Sequence, residues 1–100
     1  MKKIAIIIPT YNELDNIETL ISAILINLPD STIFVIDDSK NKDIGNLIDS
    51  KKLKAKYFHR ENAKGRGSAV LFGFRKALEE NRYDIFIKSN VNWKIKFRFN

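Results

Sequence analysis

The sequence predicts an α/β fold: a three-layer arrangement in which one parallel sheet carries helices on both faces. Three observations predict it. Short apolar runs rich in β-branched residues recur along the chain, as strands buried on both faces require. The segments between them place apolar residues at helical spacing. The resulting order is β-α-β-α-β-α-β, and alternation of this kind implies parallel strands joined by right-handed crossovers.

The first strand is Ile4-Ala5-Ile6-Ile7-Ile8, broken by Pro9-Thr10-Tyr11-Asn12. Asn12 is expected to cap a helix whose first turn holds Glu13 and Asp15, two acids at its positive end. Ile17, Leu20, Ile21, Ile24, Leu25 and Leu28 mark the buried face of that helix, and Pro29-Asp30 ends it. Thr32-Ile33-Phe34-Val35-Ile36 is the second strand. Ile44, Leu47 and Ile48 suggest a short second helix, and Ala55–His59 a third strand. A glycine-bearing turn, Ala63–Ser68, precedes a third helix marked by Ala69, Val70, Phe72, Gly73, Phe74, Ala77 and Leu78. Tyr83–Ile87 is the fourth strand. Ile6, Ile8, Leu20, Phe34, Ile36 and Phe86 are the expected core.

A chain of 100 residues with 44% hydrophobic residues allows one small domain with a modest core. It has no cysteine, which removes disulfides and thiolate metal sites and points to an intracellular, cytoplasmic setting. The apolar run after Met1-Lys2-Lys3 is too short for a secretory leader, and no segment reaches the length of a membrane span. The net charge of +6 comes from lysines and arginines scattered along the chain. No basic and aromatic platform accompanies them, so nucleic acid is not an expected partner.

Ligands of such sheets sit in the crevice beyond the carboxyl ends of the strands. Three polar segments lie there: Thr10–Glu13, Asp37-Asp38 and Asn90–Asn92. Two adjacent carboxylates after a buried strand must meet solvent, a cation or hydrogen-bond donors. That pattern fits simple strand-end solvation, and it also fits acceptance from a ribose hydroxyl or a base N–H. Gly65 and Gly67 leave the backbone open to a ligand, with Lys64 and Arg66 beside them to offset phosphate charge. The run is not a Walker sequence, and it does not follow the first strand as a dinucleotide fingerprint would. His59, the single histidine, is expected in a surface or half-buried hydrogen-bonding role. No catalytic set can be assembled.

Taken together, the motifs resemble those of family-2 glycosyltransferases, and are especially similar to the polyprenyl (dolichyl) phosphate sugar-transferase branch. The resemblance is carried by Ile6-Ile7-Ile8-Pro9-Thr10-Tyr11-Asn12-Glu13 with Asn16-Ile17, then Val35-Ile36-Asp37-Asp38-Ser39. Asn62-Ala63-Lys64-Gly65-Arg66-Gly67-Ser68-Ala69, with Gly73 and Ala77, follows in order. It implies a GT-A fold with strand order 3-2-1-4, here its nucleotide-binding half. It implies a nucleotide pocket lined by Pro9, Tyr11 and Glu13, with Asp38 at the base or ribose and Asp37 near it, and Lys64 and Arg66 near the nucleotide. It further implies a nucleoside-diphosphate sugar as donor, Mg²⁺ or Mn²⁺ as cofactor, and a membrane lipid phosphate or a glycan as acceptor. Any membrane association then arises only through a lipid acceptor, at the inner membrane surface.

Two departures from the family pattern stand out. Asn90 and Asn92 occupy the positions of the family's Asp-x-Asp metal motif, so the metal site is expected to be degraded. The family's acceptor-binding and catalytic-base segment has no counterpart before Asn100, which leads to the expectation of a truncated chain. Residues 1–90 are read as the nucleotide-sugar-binding half-domain. Residues 91–100 are read as a tail whose alternating apolar and basic residues suit an edge strand, a route to homo-oligomers. Three functions stay open: a glycosyltransferase domain, a catalytically inactive nucleotide-binding remnant, and a self-associating structural module.

Overall fold

The structure, a computed structural model, describes residues 2–62 and 65–89, with the side chain of Arg66 outside that description. Seven elements follow in the expected order: β1 (Ile4–Thr10), α1 (Leu14–Asn27), β2 (Thr32–Asp37), α2 (Asp43–Ser50), β3 (Lys56–His59), α3 (Arg66–Glu79) and β4 (Ile85–Lys88). The four strands form one parallel sheet in the order β3-β2-β1-β4. The α/β class, the helices on both faces and the strand order implied by the family resemblance are all as expected.

Side-chain alternation along the central strands builds two cores. Ile6, Ile8, Ile33 and Val35 face α1 and α2, where Ile17, Ile21, Ile24 and Ile44 cover them. Ala5, Ile7, Phe34 and Ile36 face α3. That helix approaches closely because Gly73 lies on the sheet. A Cβ there would collide with Ile7 and meet the Ile36 side chain at 3.1 Å.

Three expectations need correction. Asn12 does not cap α1. It takes a left-handed conformation, φ 52°, and Glu13 occupies the cap position without a side-chain cap bond. The backbone must turn there to carry the chain from β1 across the sheet rim, and asparagine tolerates that region better than most residues. The third helix starts earlier than expected, at Arg66, because Gly65 turns the chain into it, at φ 90°, and Gly67 is already helical. Phe86 is half-buried rather than core, because β4 is the edge of the described sheet. Its ring packs on Phe74 and Tyr83 and has no neighbour on the outer side among the described residues.

Candidate functional site

The carboxyl ends of β1, β2 and β3 meet on one rim, and backbone hydrogen bonds fix them to each other. Asp38 N donates to Thr10 O at 3.0 Å, and Arg60 N donates to Asp37 O at 2.9 Å. The turn after β1 is tied to the loop after β2 by Asn12 N, which donates to Ser39 Oγ at 2.6 Å. Glu13 closes the same turn from below, accepting from Tyr11 N at 3.2 Å and from Thr10 Oγ1 at 3.4 Å.

The two adjacent aspartates occupy different environments. Asp37 ends β2 and is fully buried. Its Oδ1 accepts from Ser39 N at 3.0 Å and Ser39 Oγ at 2.6 Å, and its Oδ2 accepts from Tyr57 OH at 2.6 Å. A buried carboxylate satisfied in this way holds the loop in shape. Burial, followed by the bond to Asp37, pushes the Tyr57 phenol well above its ordinary pKa of 10.0. His59 extends the network, since its Nε2 donates to Ser39 O at 2.7 Å. That is the half-buried hydrogen-bonding role expected of it.

Asp38 stands at the rim, facing Arg60. Nε and Nη2 of Arg60 donate to its two carboxylate oxygens, each at 2.8 Å, a parallel fork of the strong bidentate kind. Each side chain keeps 13% of its surface exposed. The third arm, Nη1, donates to Ser68 Oγ at 2.9 Å in the first turn of α3, and the guanidinium stacks 5.5 Å from the Phe72 ring centre. Through Arg60, Asp38 is therefore locked to the end of β3 and the start of α3. The bonds to Asp38 hold the Arg60 pKa above its ordinary value.

Arg60 is the residue that sequence reasoning missed. The signal was available: Asp38 and Arg60 each follow a strand, and those strands are neighbours in the sheet. Ser39 and Tyr57 were missed as well, because nothing local marks them as partners of Asp37. Of the expected nucleotide-site residues, Tyr11 is 51% exposed at the rim, Glu13 is half-buried in its turn, and Pro9 is buried within β1 opposite Ile36. Lys64 and the side chain of Arg66 lie outside the described residues, as do Asn90 and Asn92.

A concavity of about 600 Å³ between α1 and α2 is walled in part by Asp15, Glu18 and Asp43. Those carboxylates would repel a diphosphate. Among the described residues, no group of three or more acidic, histidine or cysteine side chains could hold a metal ion. Asn90 and Asn92, which the family resemblance aligns with a metal motif, lie outside those residues.

Residues 5–89 match the family described as glycosyl transferase family 2. The chain belongs to that family. Among its curated relatives is an undecaprenyl-phosphate mannosyltransferase of Micrococcus luteus, 28% identical over 93 residues, covering 90% of this chain and 38% of the relative. A dolichol-phosphate mannosyltransferase of Pyrococcus furiosus is 39% identical over 79 residues, 75% of this chain and 22% of the relative. A polyprenol monophosphomannose synthase of Mycolicibacterium smegmatis is 30% identical over 91 residues, 87% of this chain and 34% of the relative. This family 2 chain thus spans well under half the length of each. Among its described residues, no helix is long and apolar enough to cross a membrane.

Proposed function

We propose that this family 2 chain forms the donor-binding half of a glycosyltransferase, taking a nucleoside-diphosphate sugar at the rim where β1, β2 and β3 end. The observation that carries the reading is the Asp38–Arg60 fork. A carboxylate oxygen has two acceptor sites, and Arg60 fills one on each. Asp38 therefore keeps acceptor capacity for a ribose hydroxyl or a base N–H, while the guanidinium fixes where that capacity points. Arg60 acts as a positioning residue, and Asp38 as the contact.

The other residues take roles that follow from their places. Tyr11 offers an exposed ring beside the pocket, and Glu13 holds the turn that presents it. Pro9 anchors the start of that turn from inside the sheet, and Asp37 shapes the loop that carries Asp38. Lys64 and Arg66 flank the start of α3, whose free N–H groups favour a phosphate. The names of the relatives support a lipid phosphate as acceptor, with transfer at a membrane surface. No residue of this chain is assigned as catalytic base, and no step is assigned to a metal. A second reading, nucleotide binding without transfer, is favoured by the neutral pair Asn90 and Asn92.

Calorimetric titration with uridine and guanosine diphosphates tests the site. Weak binding of one of them is expected, together with its loss in Asp38→Ala. Unchanged affinity in that variant would remove Asp38 from the site.

A further inference from the structure

Three segments of the rim meet at Ser39, and each of its polar groups is engaged. Its Oγ donates to Asp37 Oδ1 at 2.6 Å and accepts from Asn12 N at 2.6 Å. Its N donates to Asp37 Oδ1 at 3.0 Å, and its carbonyl accepts from His59 Nε2 at 2.7 Å. The direction of the hydroxyl proton is set by its neighbours. A carboxylate only accepts and a backbone N–H only donates, so the proton faces Asp37 and a lone pair faces Asn12. Bonds in such a chain polarise one another, which strengthens the hold on Asn12.

Asn12 depends on that hold. Its backbone is left-handed, at φ 52°, a conformation that costs energy in any residue with a side chain. It separates the exposed Tyr11 from Glu13, whose carboxylate closes the turn. Thr10 and Asp37 are the last paired positions of β1 and β2. Tyr11 and Asp38 are the next residues on each strand, so the Asn12–Ser39 bond joins the two exits just beyond them. Ser39 itself is 3% exposed, so it acts through these neighbours rather than on a ligand.

We propose that Ser39 is a positioning residue of the rim: its hydroxyl holds the Asn12 turn so that Tyr11 and Asp38 meet a nucleoside diphosphate as one preformed site. This rests on the donor-site reading above and adds the device that joins its two sides. A turn already held in place does not have to be ordered by the ligand, and that saving appears as affinity. Ser39→Ala removes the hold without removing the fold. Asp37 keeps Tyr57 OH and the N–H of residue 39, and Asp38 N keeps Thr10 O.

Two measurements test it. Amide hydrogen exchange reads the hold with no nucleotide present. The Asn12 N–H should be protected in the native chain and lose that protection in Ser39→Ala, while the Asp38 N–H keeps its own. Calorimetry with uridine and guanosine diphosphates then reads the consequence. Ser39→Ala should weaken binding by about fivefold to tenfold, the worth of one ordinary hydrogen bond. Tyr11→Ala should lower affinity in the native background and lower it much less when combined with Ser39→Ala. An equal loss in both backgrounds would overturn the proposal, since a merely structural serine leaves the two effects additive. An unprotected Asn12 amide in the native chain would overturn the part of Ser39 alone. A native chain with Asn12 protected and no affinity for either nucleotide would overturn the donor-site reading and the proposal with it.

Discussion

The Arg60 guanidinium grips the Asp38 carboxylate through two parallel hydrogen bonds of 2.8 Å, bridging the ends of two neighbouring strands. Removing one partner of a mostly buried pair leaves the other charge without compensation. Arg60→Ala should therefore lower stability by about 1–3 kcal/mol in urea unfolding. It should also weaken nucleoside-diphosphate binding by about tenfold or more in calorimetry, because the Asp38 oxygens lose their fixed direction. Arg60→Lys should not rescue binding, since an ammonium cannot make the fork. Full affinity in Arg60→Lys would show that charge alone, without geometry, holds the site.

The two glycines of α3 should respond in opposite directions to alanine. At Gly73 a Cβ collides with Ile7 on a central strand whose neighbours cannot move away. Gly73→Ala should cost about 1–3 kcal/mol through overpacking, less the roughly 1 kcal/mol gained in helix propensity. At Gly67 a Cβ meets nothing within 4 Å. Gly67→Ala should raise stability by about 0.5–1 kcal/mol. Thermal unfolding of both variants decides the matter, and stabilisation by Gly73→Ala would mean that α3 sits further from the sheet.

Tyr57 gives the stability a dependence on alkaline pH. Its folded-state pKa is raised above the ordinary 10.0, chiefly by burial and then by the bond to Asp37. A group whose folded pKa is raised contributes fully below its unfolded pKa and loses that contribution as pH climbs through the folded one. Stability should therefore fall from about pH 10 upward as the unfolded phenol ionises while the folded phenol resists. The urea midpoint measured across that range should drop in the native chain. The drop should be smaller in Tyr57→Phe, and an identical drop would assign the effect to other groups.

Much of this architecture was legible in the sequence, for physical reasons that also mark where legibility stopped. Ile4–Ile8 and Thr32–Ile36 read as buried strands because β-branched runs too short to span a membrane have few other uses. Phe86 carried the same apolar signal yet came out half-buried, since apolar character does not say which strand ends the sheet. Asn12 had the composition of a helix cap, but the turn after β1 demanded a left-handed residue there and helix α1 began without it. The candidate site was half legible. Asp37 and Asp38 stood out as a pair, whereas their separation into a buried brace and a rim contact came from Tyr57 and Arg60, 20 and 22 residues away. Partners so distant are found only once strand register is known.

Metal dependence is predicted from the alignment of Asn90 and Asn92 with the family's metal motif, which the family resemblance implies. Two aspartates there would bring two negative charges to a dication shared with the donor diphosphate, and this chain has Asn90 and Asn92 instead. Lys88, two residues before Asn90, adds a positive charge nearby. At an effective dielectric of about 20, losing two carboxylates should remove several kcal/mol of attraction, roughly 4 kcal/mol for each unit-charge pair at about 4 Å. Mn²⁺ should accordingly give no enhancement of uridine or guanosine diphosphate binding to the native chain. The double variant Asn90→Asp with Asn92→Asp should gain Mn²⁺-linked binding, read as a nucleotide affinity that rises with Mn²⁺ and falls on chelation. Manganese titration of both proteins against the two nucleotides separates the outcomes. Strong stimulation of the native chain would mean that other ligands take the place of the missing carboxylates.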